Sequence, residues 1–245
     1  MTDTIENNLT VPEGLTLQRD ENGLALVYED QVLRGDFTRM LPRLKHHNLT
    51  QELLVKASKI KDAGDRQLIA VDATAGLGDD SLLLAAAGFQ VNLYERNPVI
   101  HALLADTINR AKEHPELAEI VSRMKMHFGD SAEAMKGIDY QPDVILLDPM
   151  FPARQKNALV KKKLQMIQKL EFPCVDEAEL LLTAMNAGPR KLIVKRPPKG
   201  PHLAGIKPDY ATEGKAVRFD CFALPKERLE KFQQMIENSR KTVEI

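Results

Sequence analysis

Leu68-Ile69-Ala70-Val71-Asp72-Ala73-Thr74-Ala75-Gly76-Leu77-Gly78-Asp79-Asp80 decides the fold: a short apolar run passes into a loop with two glycines, and a helical segment, Ser81 to Ala87, follows. Strand, glycine loop and helix in that order form a nucleotide-binding arrangement. Glycine lets the backbone turn sharply and approach a ligand where a Cβ would collide. Tight strand-to-helix turns also use glycine for structural reasons alone, so the loop gains its weight from the next strand. There, Glu95 closes the run Gln90-Val91-Asn92-Leu93-Tyr94, about 23 positions after Asp72, where an acid can accept both ribose hydroxyls of an adenosine.

Outward from this unit, strand-like and helical runs alternate. Lys125-Met126-His127-Phe128, Val144-Ile145-Leu146-Leu147 and Lys191-Leu192-Ile193-Val194 read as further strands, with helices over Pro98 to His114, Ala158 to Leu170 and Glu177 to Asn186. This alternation predicts an α/β fold, a doubly wound parallel sheet covered by helices on both faces. Ala216 to Leu224 alternates like a final strand, and Lys226 to Arg240 reads as a closing helix. Upstream, Leu15-Thr16-Leu17 and Leu24-Ala25-Leu26-Val27-Tyr28 flank the turn-forming Asp20-Glu21-Asn22-Gly23, which predicts a β-hairpin. A helical pattern over Gln51 to Ile60 ends at Ala63-Gly64-Asp65. The expected division is a hairpin-plus-helix appendage over 1–64 and a catalytic domain over 65–245.

The glycine loop separates two classes of ligand. It lacks the third glycine of G-x-G-x-x-G, and it places Asp72 before and Asp79-Asp80 after the turn, where a pyrophosphate needs bare N–H groups and no negative charge. A sulfonium-bearing amino acid tolerates such carboxylates. At the end of the fourth strand stands Asp148-Pro149-Met150-Phe151-Pro152, on the edge where open α/β sheets bind ligands. It resembles the (Asp/Asn)-Pro-Pro-aromatic loop of methyltransferases that act on planar amino groups. An exocyclic amine is a poor nucleophile because its lone pair is delocalised into the ring. The Asp148 carboxylate and Pro149 carbonyl can accept its two N–H groups and favour pyramidalisation, while Phe151 stacks the base, worth about 1–3 kcal/mol. Rate then comes mainly from alignment.

A formal net charge of -1 gives no general attraction to nucleic acid, so local clusters have to supply it. Three are present: Arg34, Arg39, Arg43 and Lys45; Arg154, Lys156, Lys161, Lys162 and Lys163; and Arg190, Lys191, Lys195, Arg196 and Lys199. Lys156, Lys161, Lys162, Lys195 and Arg196 lie nearest the reaction loop or the sheet edge and are the expected RNA contacts. Cys174 and Cys221 lack partners at ligand spacing, and His46, His47 and His202 read as surface residues, so no metal is expected. With no long apolar run, no membrane association is expected either, and a cytoplasmic protein is predicted.

From Val71 to about Phe222 the chain resembles the ribosomal RNA small subunit methyltransferase J family. Asp72-Ala73-Thr74-Ala75-Gly76-Leu77-Gly78, Glu95-Arg96-Asn97-Pro98, Leu147-Asp148-Pro149-Met150-Phe151-Pro152, Gln155 to Lys162 and Val194-Lys195-Arg196-Pro197 carry the likeness, Met150 in place of a second proline above all. The resemblance implies a class I S-adenosylmethionine-dependent methyltransferase with a Rossmann-like, mostly parallel seven-stranded sheet. It further implies methylation of a guanine N2 near the 3′ end of 16S ribosomal RNA, on the RNA or the small subunit. Cofactor contacts are then expected at Asp79, Asp80, Glu95, Arg96, Asp130, Ser131 and Asp148, beside Asp72, Gly76 and Gly78. At Asp79 the sequence departs from the family, which often has arginine there. The alternatives are amino methylation of a DNA base or a protein glutamine, and a cofactor-binding assembly factor without turnover.

Overall fold

The computed structural model describes residues 9–149, 170 and 177–224. A three-stranded antiparallel sheet leads, in the order β1 (Leu15–Asp20), β2 (Gly23–Tyr28), β3 (Gln31–Leu33). Asp20 pairs with Gly23 across the turn, and the Asp20 carboxylate accepts the Asn22 N–H, so the expected hairpin forms. β3 is too short to show a period of its own. Leu15, Leu24, Leu26 and Leu33 pack their apolar face on Val99, Ile100 and Leu103. Asp106 locks this contact by accepting from Leu24 N at 3.0 Å, Arg19 at 2.7 Å and Arg110 at 2.8 Å. Short helical turns over Phe37–Met40, Leu41–Leu44 and His46–Leu49 precede α1 (Leu53–Ser58).

The main sheet has seven strands, β4 (Ile69–Asp72), β5 (Gln90–Glu95), β6 (Met124–Phe128), β7 (Val144–Leu147), β8 (Lys191–Arg196), β9 (Tyr210–Glu213) and β10 (Arg218–Ala223). Their order is β6-β5-β4-β7-β8-β10-β9; the first five are parallel, and β10 runs antiparallel to both β8 and β9. All four side chains of Val144-Ile145-Leu146-Leu147 are fully buried, as a strand covered on both faces requires. β9 follows the proline-rich stretch from Pro197. That stretch is tied down rather than loose: the Arg218 guanidinium donates to Pro198 O and Gly200 O, and His202 Nδ1 lies 2.9 Å from Asp220 Oδ2. His202 is therefore a half-buried anchor, where a plain surface residue is expected from its spacing.

α2 (Asp79–Ala86), α3 (Pro98–Lys112), α4 (Ser131–Met135) and α5 (Glu177–Asn186) follow their strands. Asn97 starts α3 by accepting from Val99 N and Ile100 N, with Pro98 at the first helical position. The N-terminal turns do not stand apart. Phe37, Met40, Leu49, Leu54, Val55 and Ala57 share one hydrophobic cluster with Ala70, Leu82, Leu83 and Leu93 on one face of the sheet. On the other face, Val71, Ile145, Leu147 and Val194 pack on Leu181 and Ala184 of α5. The predicted helices over Ala158 to Leu170 and Lys226 to Arg240 fall outside the described residues, apart from Leu170.

Candidate active site

β4 and β7 pair in parallel, so the loops leaving their carboxyl ends lie side by side and open onto one cleft of about 480 Å³. From β4 the chain turns one way to β5 and β6, and from β7 it turns the other way to β8. Such a switch point is where open α/β sheets form their crevice.

The wall from β4 and β5 is built on backbone N–H groups. Asp72, 1% exposed, accepts from Thr74 N at 3.1 Å and from the Ser81 hydroxyl at 2.6 Å, fastening the start of α2 to the end of β4. Burial pushes its carboxyl up to about 7 against those two bonds, and the nearby Asp80 and Asp148 charges add to the rise. Gly76 has a φ of 54°, and the place its Cβ would occupy has no atom within 4 Å, so this loop position stays open. Gly78 has a φ of 83°, but a Cβ there would stand 2.6 Å from Leu104 Cδ1 and 3.1 Å from the Phe37 ring. The second glycine thus answers to packing from the N-terminal segment as well as to the turn. Glu95 accepts from Gly76 N at 3.0 Å and Asn97 N at 2.7 Å, and burial raises its carboxyl. Asp130 caps α4 by accepting from Ala132 N at 2.7 Å, with Arg96 3.7 Å from its other oxygen.

The facing wall is held by a lysine. Asp148 N donates to the Thr74 hydroxyl at 2.7 Å, which ties the two loops together. Lys195 Nζ lies 2.9 Å from Asp148 Oδ2 and 2.6 Å from Asp80 Oδ2. Burial raises the Asp148 carboxyl, and Lys195 opposes that rise. Burial also works against the Lys195 ammonium, but the Asp80 and Asp148 carboxylates outweigh it and hold the lysine well above its usual range. This arrangement gives a hydrogen-bond acceptor beside Pro149 whose burial-raised carboxyl is opposed by one cation.

Asp72, Gly76, Gly78, Asp79, Asp80 and Glu95 therefore meet Arg96, Asp130, Ser131, Asp148 and Pro149 around one cleft. Two expected RNA contacts stand otherwise. Lys195 is engaged by two carboxylates, and Arg196 is 1% exposed with its Nε donating to Pro201 O at 2.6 Å, so neither is presented to a phosphate. Three of the four residues of the first basic cluster are engaged by acids: Arg34 pairs with Asp20, Arg43 with both oxygens of Glu52, and Arg39, through one nitrogen, with Asp79. In the third, Arg190 donates to Lys61 O, and Lys191 to Ala57 O and Lys59 O, cross-linking the N-terminal segment to β8. Phe151, Lys156, Lys161 and Lys162, with Met150 and Cys174, fall outside the described residues.

Two lining residues escape a reading of the sequence. Thr74 is a hydroxyl inside the glycine loop whose partner is 74 positions away, and Arg39 reaches the cleft from the N-terminal turns, 40 positions before its partner Asp79. No local pattern signals either. Among the described residues, no three His, Cys, Asp or Glu side chains gather as a metal site, and no helix is long and apolar enough to cross a membrane.

Residues 5–224 match the family described as "Putative SAM-dependent methyltransferase". A Marinobacter nauticus protein named ribosomal RNA small subunit methyltransferase J is 39% identical over 218 residues, covering 86% of this chain and 78% of its own. A Neisseria gonorrhoeae protein of the same name is 37% identical over 85% of this chain and 83% of its own. The crystal structure of a SAM-dependent methyltransferase from Neisseria gonorrhoeae superposes with a TM-score of 0.70 at 28% identity, covering 92% of each chain.

Proposed function

The chain belongs to the ribosomal RNA small subunit methyltransferase J family, and on that premise we propose that it methylates the exocyclic N2 amine of a guanosine near the 3′ end of 16S ribosomal RNA. It is an S-adenosylmethionine-dependent ribosomal RNA methyltransferase. The observation that carries the finer reading is the Asp148-Pro149 turn, braced by Lys195 and Thr74, opposite the glycine loop and Glu95.

The cleft fits the methyl donor. Gly76 leaves the loop open to close approach, and the acids around it suit a positively charged sulfur. Glu95 is the residue for the ribose, Asp130 with Ser131 for the adenine edge, and Gly76, Gly78, Asp79, Asp80 and Arg96 complete the binding set, with Asp72 holding the loop. When bound, S-adenosylmethionine supplies an electrophilic methyl group. The chain's own task is to present the amine. Lys195 engages Asp148 Oδ2, and in this reading Oδ1 and the Pro149 carbonyl accept from the two N–H groups of the amine. As the amine gains its methyl it releases a proton, and Asp148 Oδ1 receives it. Phe151 stacks the extracted base, at a few kcal/mol of unstacking. Lys156, Lys161 and Lys162 then meet the phosphates, on the RNA or the assembled small subunit in the cytoplasm. The same reading divides the chain into an appendage over 1–64 and a catalytic part over 65–245, with Phe37, Met40, Leu49, Leu54, Val55 and Ala57 packed into the core of the second.

Nucleoside mass spectrometry of 16S RNA from cells lacking the gene tests this. N2-methylguanosine falls in the deletion strain, returns with the wild-type copy and stays low with Asp148→Ala. Loss of bonds to a charged acceptor puts the rate deficit of that variant at roughly a hundred- to a thousandfold. Unchanged N2-methylguanosine in the deletion strain overturns the substrate, and full restoration by the alanine variant overturns the role of Asp148.

A further inference from the structure

We propose that Arg39 and Asp79 together form a clamp for the zwitterionic amino-acid end of the methyl donor, Arg39 taking the α-carboxylate and Asp79 the α-ammonium. The proposal rests on the reading of the cleft as the donor site and extends it to a residue of the N-terminal segment.

Arg39 stands on the turn Phe37–Met40, which Asp36 caps by accepting from Thr38 N at 2.9 Å. Phe37 and Met40 are buried, and the Phe37 ring lies against Gly78, so the turn is fixed to the glycine loop by packing. From there the Arg39 guanidinium reaches Asp79 Oδ2 at 2.5 Å, and both residues line the cleft. That bond uses one guanidinium nitrogen, and an arginine fork carries donors on three.

The second oxygen of Asp79 supplies the complementary half. Asp79 Oδ1 is closed off from solvent and accepts no hydrogen bond among the described residues. A buried acceptor left this way is costly, and since the Asp79 side chain is 36% exposed to the cleft, a turn of the carboxylate brings this oxygen to an ammonium donor of a ligand. Burial also raises the Asp79 carboxyl, so a second cation beside it favours ionisation.

The other cations of the cleft are placed differently. Arg96 sits by Asp130 beyond β6, and Lys195 is already shared by Asp80 and Asp148. Arg39 is half exposed and paired through one oxygen only. An α-amino acid carries a positive and a negative group side by side, and the Arg39–Asp79 pair presents the opposite charges side by side.

Isothermal titration with S-adenosylmethionine, its decarboxylated form and 5′-methylthioadenosine, which lacks the amino-acid end, separates the two halves. The wild-type protein binds the decarboxylated form roughly ten- to a hundredfold more weakly than S-adenosylmethionine, the range of one charge-assisted pair. Arg39→Met weakens S-adenosylmethionine by the same factor and leaves the other two unchanged. Asp79→Asn weakens S-adenosylmethionine and the decarboxylated form but not 5′-methylthioadenosine. Arg39→Lys keeps part of the affinity and serves if the methionine variant fails to fold.

Equal wild-type affinity for the carboxylated and decarboxylated ligands overturns the clamp. So does an Arg39 variant that weakens 5′-methylthioadenosine as much as S-adenosylmethionine, since that is the mark of a structural role. A wild-type protein that binds none of the three overturns the donor site itself.

Discussion

The two walls of the cleft hold their acids by different means. On the β4–β5–β6 wall, Glu95 and Asp130 accept from backbone N–H groups, and Asp72 from one N–H and one hydroxyl. On the β7–β8 wall, Asp148 shares the ammonium of Lys195 with Asp80, which reaches across from the first turn of α2. Backbone donors come with the fold and survive any single side-chain change, so the first wall is a fixed mould. A lysine is removable, and its charge opposes the burial that raises the Asp148 carboxyl, so the second wall is adjustable. Fixed acceptors suit a cofactor whose shape is constant, whereas an adjustable carboxylate suits the atom where a proton must be taken up.

Removing the lysine breaks that contrast most severely. Asp148 works only as a carboxylate, so activity is lost as pH falls through its pKa. Burial raises that pKa and Lys195 opposes the rise, with Asp80 pushing it up and Arg196 down. Lys195→Met removes the main opposing charge and moves the acid limb of the rate profile to higher pH. At neutral pH the rate drops roughly ten- to a hundredfold, about 1.4–2.8 kcal/mol, and part of it returns in alkaline buffer. Donor affinity shifts as well, because Asp80 of the donor-binding set loses the same cation, so the rate is read at saturating donor. A pH–rate profile on ribosomal RNA checks this: an equal loss at every pH shows that the lysine supports only the loop's shape.

Glu95→Gln probes the fixed wall and gives a smaller effect of another kind. The glutamine keeps an acceptor but loses the charge that favours ribose hydroxyls, so donor affinity falls roughly tenfold while the rate at saturating donor holds. Since the ribose is common to all three ligands, 5′-methylthioadenosine weakens as much as S-adenosylmethionine, the reverse of the Arg39 pattern. Titration of both ligands decides it. A fall in the saturated rate with affinity intact would move Glu95 to the reaction wall.

The same contrast governs what the sequence made readable. The β4 loop is local: apolar run, glycines, acids and helix follow one another, and strand pairing brings Glu95 beside them within 19 residues of Gly76. The helix starts at Asp79 rather than Ser81, because Gly78 in the left-handed region is its cap and puts both acids in the first turn. Asp148-Pro149 was readable as a motif, but its control was not. Lys195 lies 115 positions from Asp80, and its place in Val194-Lys195-Arg196 at the sheet edge reads as an RNA contact. Alternation along β8 puts Arg196 on the buried side and Lys195 toward the cleft, a distinction that depends on which face the proline-rich stretch covers. β9 escaped for a similar reason: four residues after Pro208-Asp209 carry too little pattern, and they become a strand by pairing with β10.

Asp72, at the end of β4 on the fixed wall, gives the mildest test, on stability rather than turnover. Its folded pKa of about 7 stands above the ordinary carboxyl value of 3.8. A raised folded pKa means that the native state holds the proton more tightly than the unfolded chain. The contribution is therefore present in full below the unfolded value and is lost as pH rises through 7. Between pH 6 and pH 8 the loss is roughly 1.4 kcal/mol, which for a chain of this size lowers Tm by about 3–5 °C. Asp72→Asn cannot titrate, yet it still accepts from Thr74 N and can donate to the Ser81 hydroxyl. Its Tm stays flatter across the same interval, and the difference between the two slopes, read by calorimetry, isolates this one carboxyl. Parallel slopes would place the proton elsewhere and leave Asp72 ionised, held as firmly by its two donors as Glu95 is by its own.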